Sequence, residues 1–313
     1  MLALTFPGQG SQSVGMGKEL ADAFPEAKAV FDEVDEALGE KLSSIIWDGP
    51  EDQLTLTANA QPALMAVSMA ALRALESRGF QVTQASYVAG HSLGEYSALC
   101  AARALTVGDT ARLLRIRGNA MQAAVPVGQG AMAAIIGLEK SDVETFCDNA
   151  SQSGDECQIA NDNGGGQVVI SGHKGAVERA SDAAKEAGAK RALMLPVSAP
   201  FHSSLMQPAA DAMAEALGNV DINATIVPLI ANVEAEPISH PKDIQEALVA
   251  QVTGRVRWAE SVEYMSEQGV NRVWEVGAGK VLTGLARRID RTMDGLSIGT
   301  PADVDAALEK LQA

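Results

Sequence analysis

The chain has 313 residues, 47% of them hydrophobic, which suits one large domain or a large domain with a smaller companion. Its formal net charge of −16 argues against a surface that binds nucleic acid or an anionic membrane. Three cysteines without metal-type spacing, the lack of a signal-like start and the lack of any run of about 20 apolar residues predict a cytoplasmic protein with no metal site and no membrane span.

The first part of the chain alternates apolar runs with amphipathic segments. The predicted elements are a strand at 2–6, helices at 17–24, 26–38 and 59–77, and a strand at 87–89. This order is typical of an α/β fold, in which ligands bind at the ends of the strands. The loop Pro7-Gly8-Gln9-Gly10 follows the first strand, although a polar turn is its simplest interpretation when it is taken alone.

A candidate nucleophile follows the second strand, in the sequence Gly90-His91-Ser92-Leu93-Gly94. A helix is predicted from Glu95 to Arg103, so the segment has the strand, turn and helix of a nucleophile elbow. The glycines permit close backbone packing, and the start of a helix favours developing negative charge. The pentapeptide alone is short enough to occur by chance among 29 glycines, but its context favours Ser92 as a nucleophile.

From Gly128 the pattern changes to shorter elements. Strands are predicted at 130–137, 157–161, 167–171 and 191–196, and helices at 141–150, where Ser141 and Glu144 form a capping box, and at 174–187. The order βαββαβ is typical of a ferredoxin-like subdomain. Asn163-Gly164-Gly165-Gly166 joins two strands, which favours a hairpin tip over a phosphate cradle.

The remaining segments continue the α/β pattern. The predicted elements are helices at 205–217, 241–252, 280–289 and 303–311 and strands at 226–232, 272–276 and 296–300. The sequence therefore predicts a large domain formed by residues 1–127 and 198–313, with residues 128–197 inserted as a small subdomain.

A serine nucleophile needs a base, and the chain has four histidines. His91 adjoins Ser92 at a tight turn, where consecutive side chains point in different directions, so we expect it to buttress the elbow. His173 and His240 have the surroundings of surface groups. His202 lies where the chain returns from the insert and faces the predicted cleft, so we favour it as the base over a core or surface histidine.

The acidic residues between Ser92 and His202 lie mostly within the insert, where they are badly placed to orient His202; examples are Asp142, Glu144 and Asp162. We therefore expect a Ser-His dyad that is oriented by a backbone or amide carbonyl rather than by a carboxylate.

A helix is predicted at 110–124, and an arginine on it, such as Arg117, is most simply a solvated or paired surface group when it is considered alone.

Five segments spread over essentially the whole chain form one pattern. They are Phe6–Gln12, Gly90–Tyr96, Arg117-Gly118 with Met121-Gln122, Pro196–His202, and the strand end Val276-Gly277. Together these segments resemble the malonyl-CoA:acyl carrier protein transacylase family. The resemblance implies an α/β-hydrolase-like large domain with a parallel sheet core and an inserted ferredoxin-like subdomain.

The resemblance also implies a role for each matching residue. Ser92 is acylated by the malonyl group, and His202 acts as the general base and later as the acid. The backbone N–H groups of Gln9 and Leu93 form the oxyanion hole, and Arg117 pairs with the free malonyl carboxylate.

Four further positions follow from the same resemblance. Gln251 supports His202 through its carbonyl and orders the pocket with its side chain, and Met121 and Asn161 line the pocket. Phe201 is typical of malonyl-selective relatives, in which a bulky ring excludes a methyl branch. The implied partners are malonyl-CoA and holo acyl carrier protein, with no cofactor beyond CoA and phosphopantetheine as carriers of the acyl group.

Three alternatives stay open. They are an acyltransferase for methylmalonyl or another extender in polyketide synthesis, a serine esterase or thioesterase, and an inactive subunit that only binds acyl carrier protein. A hydrolase is better served by a carboxylate partner and does not need Arg117.

Because acyl carrier proteins are acidic, docking requires a local basic patch on this acidic chain. Lys190-Arg191, or Lys280 with Arg287 and Arg288, are candidates, with solvated surface charge as the alternative.

Overall fold

The computed structural model describes residues 1–197 and 199–312; Ser198 and Ala313, where two predicted domain boundaries fall, lie outside the described residues. The strands are β1 (Leu2–Phe6), β2 (Tyr87–Gly90), β3 (Gly130–Ile136), β4 (Cys157–Asp162), β5 (Gln167–His173), β6 (Arg191–Met194), β7 (Leu229–Ile230), β8 (Pro237–Ile238), β9 (Arg272–Val276) and β10 (Asp294–Ile298).

Helices connect nearly all of these strands. They are α1 (Lys18–Ala23), α2 (Pro25–Leu38), α3 (Leu42–Asp48), α4 (Glu51–Thr55), α5 (Thr57–Ser77), α6 (Gly94–Ala101), α7 (Val107–Ala123), α8 (Lys140–Ala150), α9 (Lys174–Glu186), α10 (Gln207–Gly218), α11 (Pro241–Thr253), α12 (Trp258–Glu267), α13 (Val281–Ile289) and α14 (Pro301–Gln312), with short 3₁₀ helices at Val82–Gln84 and Ser204–Met206.

The larger sheet has the strand order β10-β9-β1-β2-β7-β8 and is parallel except for β8 at its edge. Its central strand β1 is buried along its whole length because helices cover both faces. Leu2, Leu4 and Phe6 pack into the core beneath α5 and α7, whereas Ala3 faces the apolar cluster beside α12 and α13. The predicted α/β architecture with a parallel sheet is confirmed.

The smaller sheet is antiparallel, with the strand order β4-β5-β3-β6. Helices α8 and α9 cover one of its faces, and the residues between them form a separate apolar cluster. The opposite face contributes Met132, Ala134, Ala160 and Val169 to the main core. The order of elements along this segment is the predicted βαββαβ.

Backbone hydrogen bonds tie the small sheet to Val256, which lies between α11 and α12. The N–H of Val256 donates to the Ala160 carbonyl (2.8 Å), and the N–H of Asp162 donates to the Val256 carbonyl (3.0 Å). The small sheet therefore lies against the segment that joins α11 to α12.

Some sequence predictions are wrong in detail. The strand expected at 226–232 is limited to Leu229–Ile230, because the N–H of Ile226 bonds instead to the Ala102 carbonyl at the end of α6. Helices α3, α4 and α12 were not predicted. The capping box at Ser141 does not form, since α8 begins one residue earlier, after Glu139, and has no side-chain cap.

Within residues 1–197 and 199–312, no helix combines the length and hydropathy that a membrane span requires.

Candidate active site

Ser92 occupies a sharp turn between β2 and α6. Its φ of 54° lies in the left-handed region, which is unfavourable for a residue with a side chain. The turn is tight enough that a Cβ on Gly90 would lie 1.9 Å from the Gly94 carbonyl oxygen. A Cβ on Gly94 would lie 2.2 Å from the carbonyl oxygen of Phe6 on β1. Only glycine fits at either position, which explains the local sequence.

The loop after β1 packs directly against this turn. The N–H of His91 donates to the Phe6 carbonyl (3.1 Å), and a Cβ on Gly8 would approach the His91 carbonyl oxygen to 2.8 Å. The loop therefore places Gln9 beside the elbow, with its side chain directed to Thr57 Oγ1 at 3.3 Å. Leu93 is buried at the residue that precedes α6.

His202 lies across from the serine, in the loop that returns from the small sheet. Its Nε2 is 2.7 Å from Ser92 Oγ. Its Nδ1 faces two backbone carbonyl oxygens, Gln251 at 2.9 Å and Gly254 at 3.2 Å. Since a carbonyl can only accept, the proton resides on Nδ1, and Nε2 is left to accept the hydroxyl proton of Ser92. His202 also has a left-handed backbone, with φ of 56°.

The environment of His202 keeps its ring uncharged. Burial, reinforced by the positive charge of Arg117, lowers the pKa of His202 to about 3, although the two carbonyl hydrogen bonds act in the opposite direction. At neutral pH the imidazole is therefore able to accept a proton. None of Asp142, Glu144 or Asp162 forms a hydrogen bond to it in the described part of the chain.

Arg117 brings a full positive charge into the same pocket. Its side chain is 1% exposed, and it projects from α7 over the ring of Tyr96. The guanidinium donates to Gln61 Oε1 (2.8 Å), Gln251 Oε1 (2.7 Å) and Ser92 Oγ (3.1 Å). All three acceptors are neutral oxygens, and no carboxylate of the described residues pairs with it. A buried charge without a counter-ion favours an anionic ligand.

Three polar residues of the site were not found by sequence reasoning. Gln61 lies on α5, whose buried residues are mostly apolar, and a long polar side chain among them was a usable signal. Asn232 follows β7 and accepts a hydrogen bond from the Ser92 N–H (2.9 Å). Glu95 directly follows the elbow and is fully buried, which raises its pKa to about 7.

The other predicted pocket residues, Met121, Phe201 and Asn161, are all buried. Met121 Sδ accepts a weak hydrogen bond from Gln61 Nε2 (3.7 Å), which places it next to the partner of Arg117. Phe201 is buried immediately before His202. Asn161 is buried on β4, where its backbone pairs with Val256, two residues beyond Gly254.

The remaining histidines lie away from the serine hydroxyl. His91 Nε2 is 2.9 Å from Asn163 Oδ1, at the tip of the glycine-rich hairpin, and its ring packs near Trp258. His91 thus links the elbow to the small sheet. His173 Nδ1 accepts from the Glu156 N–H, and His240 is exposed at the start of α11.

The acyl transferase domain family matches residues 4–295 of this sequence. The chain belongs to this acyltransferase family. Malonyl CoA-acyl carrier protein transacylases of Bacillus subtilis and Escherichia coli are 46% and 47% identical to it, and the matches cover 99% and 98% of this chain and 97% and 98% of theirs. The family resemblance inferred from the sequence motifs is confirmed.

Solved acyltransferase structures share the whole fold. The acyl-carrier-protein-S-malonyltransferase of Bartonella henselae superimposes with a TM-score of 0.97 at 62% identity, covering 100% of this chain and 99% of that one. A malonyl-transacylase in complex with its type II PKS acyl-carrier protein superimposes with a TM-score of 0.95 at 44% identity, covering 99% of each chain. The antiparallel second sheet is therefore part of the shared acyltransferase architecture.

Proposed function

We propose that this acyltransferase transfers the malonyl group of malonyl-CoA to the phosphopantetheine thiol of holo acyl carrier protein, as an [acyl-carrier-protein] S-malonyltransferase that supplies fatty acid synthesis. The observation that carries the proposal is the buried guanidinium of Arg117, which has only neutral partners and lies 3.1 Å from the Ser92 hydroxyl. The names of the close relatives support the same donor and acceptor.

In the first half-reaction, His202 Nε2 removes the proton of Ser92 Oγ as that oxygen attacks the thioester carbonyl of malonyl-CoA. The backbone N–H groups of Gln9 and Leu93 stabilise the oxyanion of the tetrahedral intermediate. The intermediate collapses with cleavage of the C–S bond, and His202 returns the proton to the CoA sulfur. The products are malonyl-Ser92 and free CoA.

The second half-reaction reverses these roles with a new thiol. His202 takes the proton from the phosphopantetheine thiol, whose sulfur attacks the carbonyl of malonyl-Ser92. Cleavage of the ester C–O bond, with the proton returned to Ser92 Oγ, restores the enzyme. The neutral carbonyls of Gln251 and Gly254 orient the ring throughout but stabilise its charged form less than a carboxylate does.

Arg117 selects the acyl group in this proposal. The free carboxylate of the malonyl group forms a bidentate pair with the guanidinium, whereas an uncharged acyl chain leaves the buried charge without a counter-ion. Gln251 holds the guanidinium in place, and Met121 and Asn161 line the pocket. Phe201 crowds the space next to His202, which favours malonyl over methylmalonyl.

The organisation of the chain follows the same proposal. Residues 1–127 and 198–313 form the α/β-hydrolase-like catalytic domain, and residues 128–197 form an inserted ferredoxin-like subdomain. The strand order β4-β5-β3-β6 with two helices on one face supports that classification. We place the enzyme in the cytoplasm and assign it no metal and no cofactor beyond the two thiol carriers.

Intact mass spectrometry tests the proposal directly. The protein is mixed with malonyl-CoA, and a malonyl adduct is expected on Ser92 in the wild type and not in Ser92→Ala. Holo acyl carrier protein then removes the adduct and gains its mass, whereas apo acyl carrier protein does not. An adduct that forms equally well from methylmalonyl-CoA indicates a different extender, and release as free malonate without transfer indicates a thioesterase.

A further inference from the structure

Glu95 is a buried carboxylate that the mechanism above does not use. It lies in the first turn of α6, three residues after Ser92, and its side chain is 0% exposed. Each of its oxygens accepts one hydrogen bond. Oε1 accepts from the backbone N–H of Asn232 (3.0 Å), and Oε2 accepts from Gln251 Nε2 (2.5 Å).

Both partners of Glu95 hold the reacting groups. The Asn232 side chain accepts from the Ser92 N–H (2.9 Å) and donates to the Gly90 carbonyl (2.7 Å), so it clamps the strained elbow from both sides. Gln251 Nε2 also donates to the Ser92 carbonyl (2.9 Å), while Gln251 Oε1 accepts from Arg117 (2.7 Å).

The Gln251 amide therefore bridges a carboxylate and a guanidinium. Its NH₂ end faces Glu95, which in its ionised form only accepts, and its oxygen faces Arg117, which only donates. The two ends of an amide have nearly the same shape, so its orientation depends on these partners. The backbone carbonyl of the same residue accepts the Nδ1 proton of His202, which extends the network to the base.

We infer that Glu95 is a positioning residue of the acyl-transfer site, which fixes the Gln251 amide so that Arg117 is aimed at the acyl carboxylate and which holds the Ser92 turn through Asn232. Glu95 does not touch the substrate in this scheme. The inference deepens the proposed function and rests on it for the identity of the carboxylate that Arg117 receives.

Glu95→Gln is the sharpest test because it changes one atom and keeps the volume. The backbone N–H of Asn232 can only donate a hydrogen bond, so the one oxygen of the new glutamine side chain must stay next to it as the acceptor. The new NH₂ group then faces the NH₂ group of Gln251, and two donors repel. Gln251 relieves this contact by rotating its amide, which turns its own NH₂ toward the guanidinium and removes an acceptor from Arg117.

The experiment compares three readouts on full-length wild type and variants. These are the rate of malonyl-Ser92 formation from malonyl-CoA, the rate of Ser92 labelling by an uncharged fluorophosphonate, and the protection of Ser92 from that label by free malonate. For Glu95→Gln we expect malonylation and malonate protection to weaken by about tenfold, since an acceptor of the guanidinium is lost. Fluorophosphonate labelling should change by less than about threefold, because the Ser92–His202 pair remains.

Glu275→Gln is the matched control, since Glu275 is also 0% exposed but accepts from the Thr283 N–H, at the start of α13. It should leave all three readouts unchanged. An equal fall of malonylation and fluorophosphonate labelling in Glu95→Gln, or no fall in either, would overturn the inference.

The same experiment separates the inference from the proposed function. A wild type that reacts with the fluorophosphonate but not with malonyl-CoA contradicts the proposed function. The malonate-protection ratio between wild type and Glu95→Gln still decides whether Glu95 aims Arg117, because it does not require acyl transfer. A ratio near one refutes the role of Glu95, and a ratio near ten supports it.

Discussion

At the scale of single residues, the site combines an uncharged base with a buried positive charge that has no counter-ion within the ranges that the structure describes. The imidazole of His202 is neutral, and the guanidinium of Arg117 has no anionic partner among the described residues. The amide of Gln251 lies between the guanidinium and the carboxyl of Glu95 and forms a hydrogen bond with each. The pocket therefore carries a positive charge that a dicarboxylic acyl group can neutralise, next to a base that the same charge makes weaker.

Arg117→Ala tests the role of this charge. We expect malonyl transfer to fall by at least about 100-fold in kcat/KM, from about 3 kcal/mol for the lost charge-assisted pair. Transfer from acetyl-CoA should be retained or increase, because no unpaired charge has to remain buried. Steady-state assays with both donors measure the ratio. Arg112→Ala, on the exposed face of α7, is the control. Equal losses with both donors would mean that Arg117 is structural.

The stability of the protein should depend on pH through Glu95. Burial raises its pKa from 4.5 to about 7, although hydrogen bonds from Asn232 and Gln251 and the charge of Arg117 act against this rise and Glu234 adds to it. Between these pH values the folded state retains a proton that the unfolded state has released, so this contribution to stability falls as pH rises through the window. The change amounts to about 3 kcal/mol.

Urea unfolding of wild type and Glu95→Gln at several pH values measures this linkage. His202 acts in the opposite sense, because its pKa is about 3 when folded and 6.5 when unfolded, so its contribution increases as pH rises between those values. Subtracting the wild-type curve from the variant curve removes the His202 effect. The difference should shift in favour of Glu95→Gln from acid to neutral pH. A difference that does not vary with pH would contradict the high pKa of Glu95.

The sequence predicted the residues that carry local signals. Ser92 lies within a short motif, and His202 was found by elimination among four histidines. Glu95 and Asn232 were missed because their roles depend on contacts between residues 137 positions apart, which no local spacing reveals. The interpretation of Arg117 as a surface group, the simplest one for an isolated helical arginine, is wrong, since the residue is buried.

At the scale of elements, the elbow is held by contact between backbones. The start of α6 lies so close to the end of β1 that only a residue without a side chain, Gly94, fits between them. The strand, turn and helix were predictable from the alternation of apolar residues and glycines. The length of β7 was overestimated because Ile226, before Leu229, bonds to the end of α6 rather than to a strand.

Gly94→Ala should disrupt this contact. Its Cβ would lie 2.2 Å from a backbone oxygen of β1, and neither group can move as a flexible side chain would. We expect the free energy of unfolding to fall by about 2–4 kcal/mol, together with the rate of fluorophosphonate labelling. Gly284→Ala, within α13 and with no atom within 4 Å of its added Cβ, should instead be neutral or stabilising by about 0.5–1 kcal/mol. Chemical denaturation of the pair measures both effects.

At the scale of the whole molecule, one face of the small sheet packs into the main core of the larger sheet. Residues of β3, β4 and β5 pack into the same apolar cluster as β1 and α5. His91 contacts the Asn163 hairpin, and Gln158 of β4 donates to the backbone carbonyl of His202 (3.4 Å). Sequence periodicity predicted an insert at residues 128–197 but gave no measure of how closely this segment packs against the rest of the chain.

Because of this shared core, thermal unfolding should occur in a single transition. Differential scanning calorimetry should give one peak whose calorimetric and van't Hoff enthalpies agree. Asn163→Ala removes one link between the sheets and should lower the midpoint without splitting the peak. Two resolved peaks in the wild type would show that residues 128–197 unfold independently.

The left-handed backbones of Ser92 and His202 have a consequence for inactive forms of this protein. Each conformation is unfavourable by about 1 kcal/mol or more for a residue with a Cβ, and glycine removes that penalty. Replacing either residue by glycine should therefore abolish turnover yet leave a chain that resists heat better than the alanine variant at the same position. The two reacting residues thus hold backbone conformations that glycine adopts more easily, so loss of catalysis and loss of folding stability need not go together in variants of this protein.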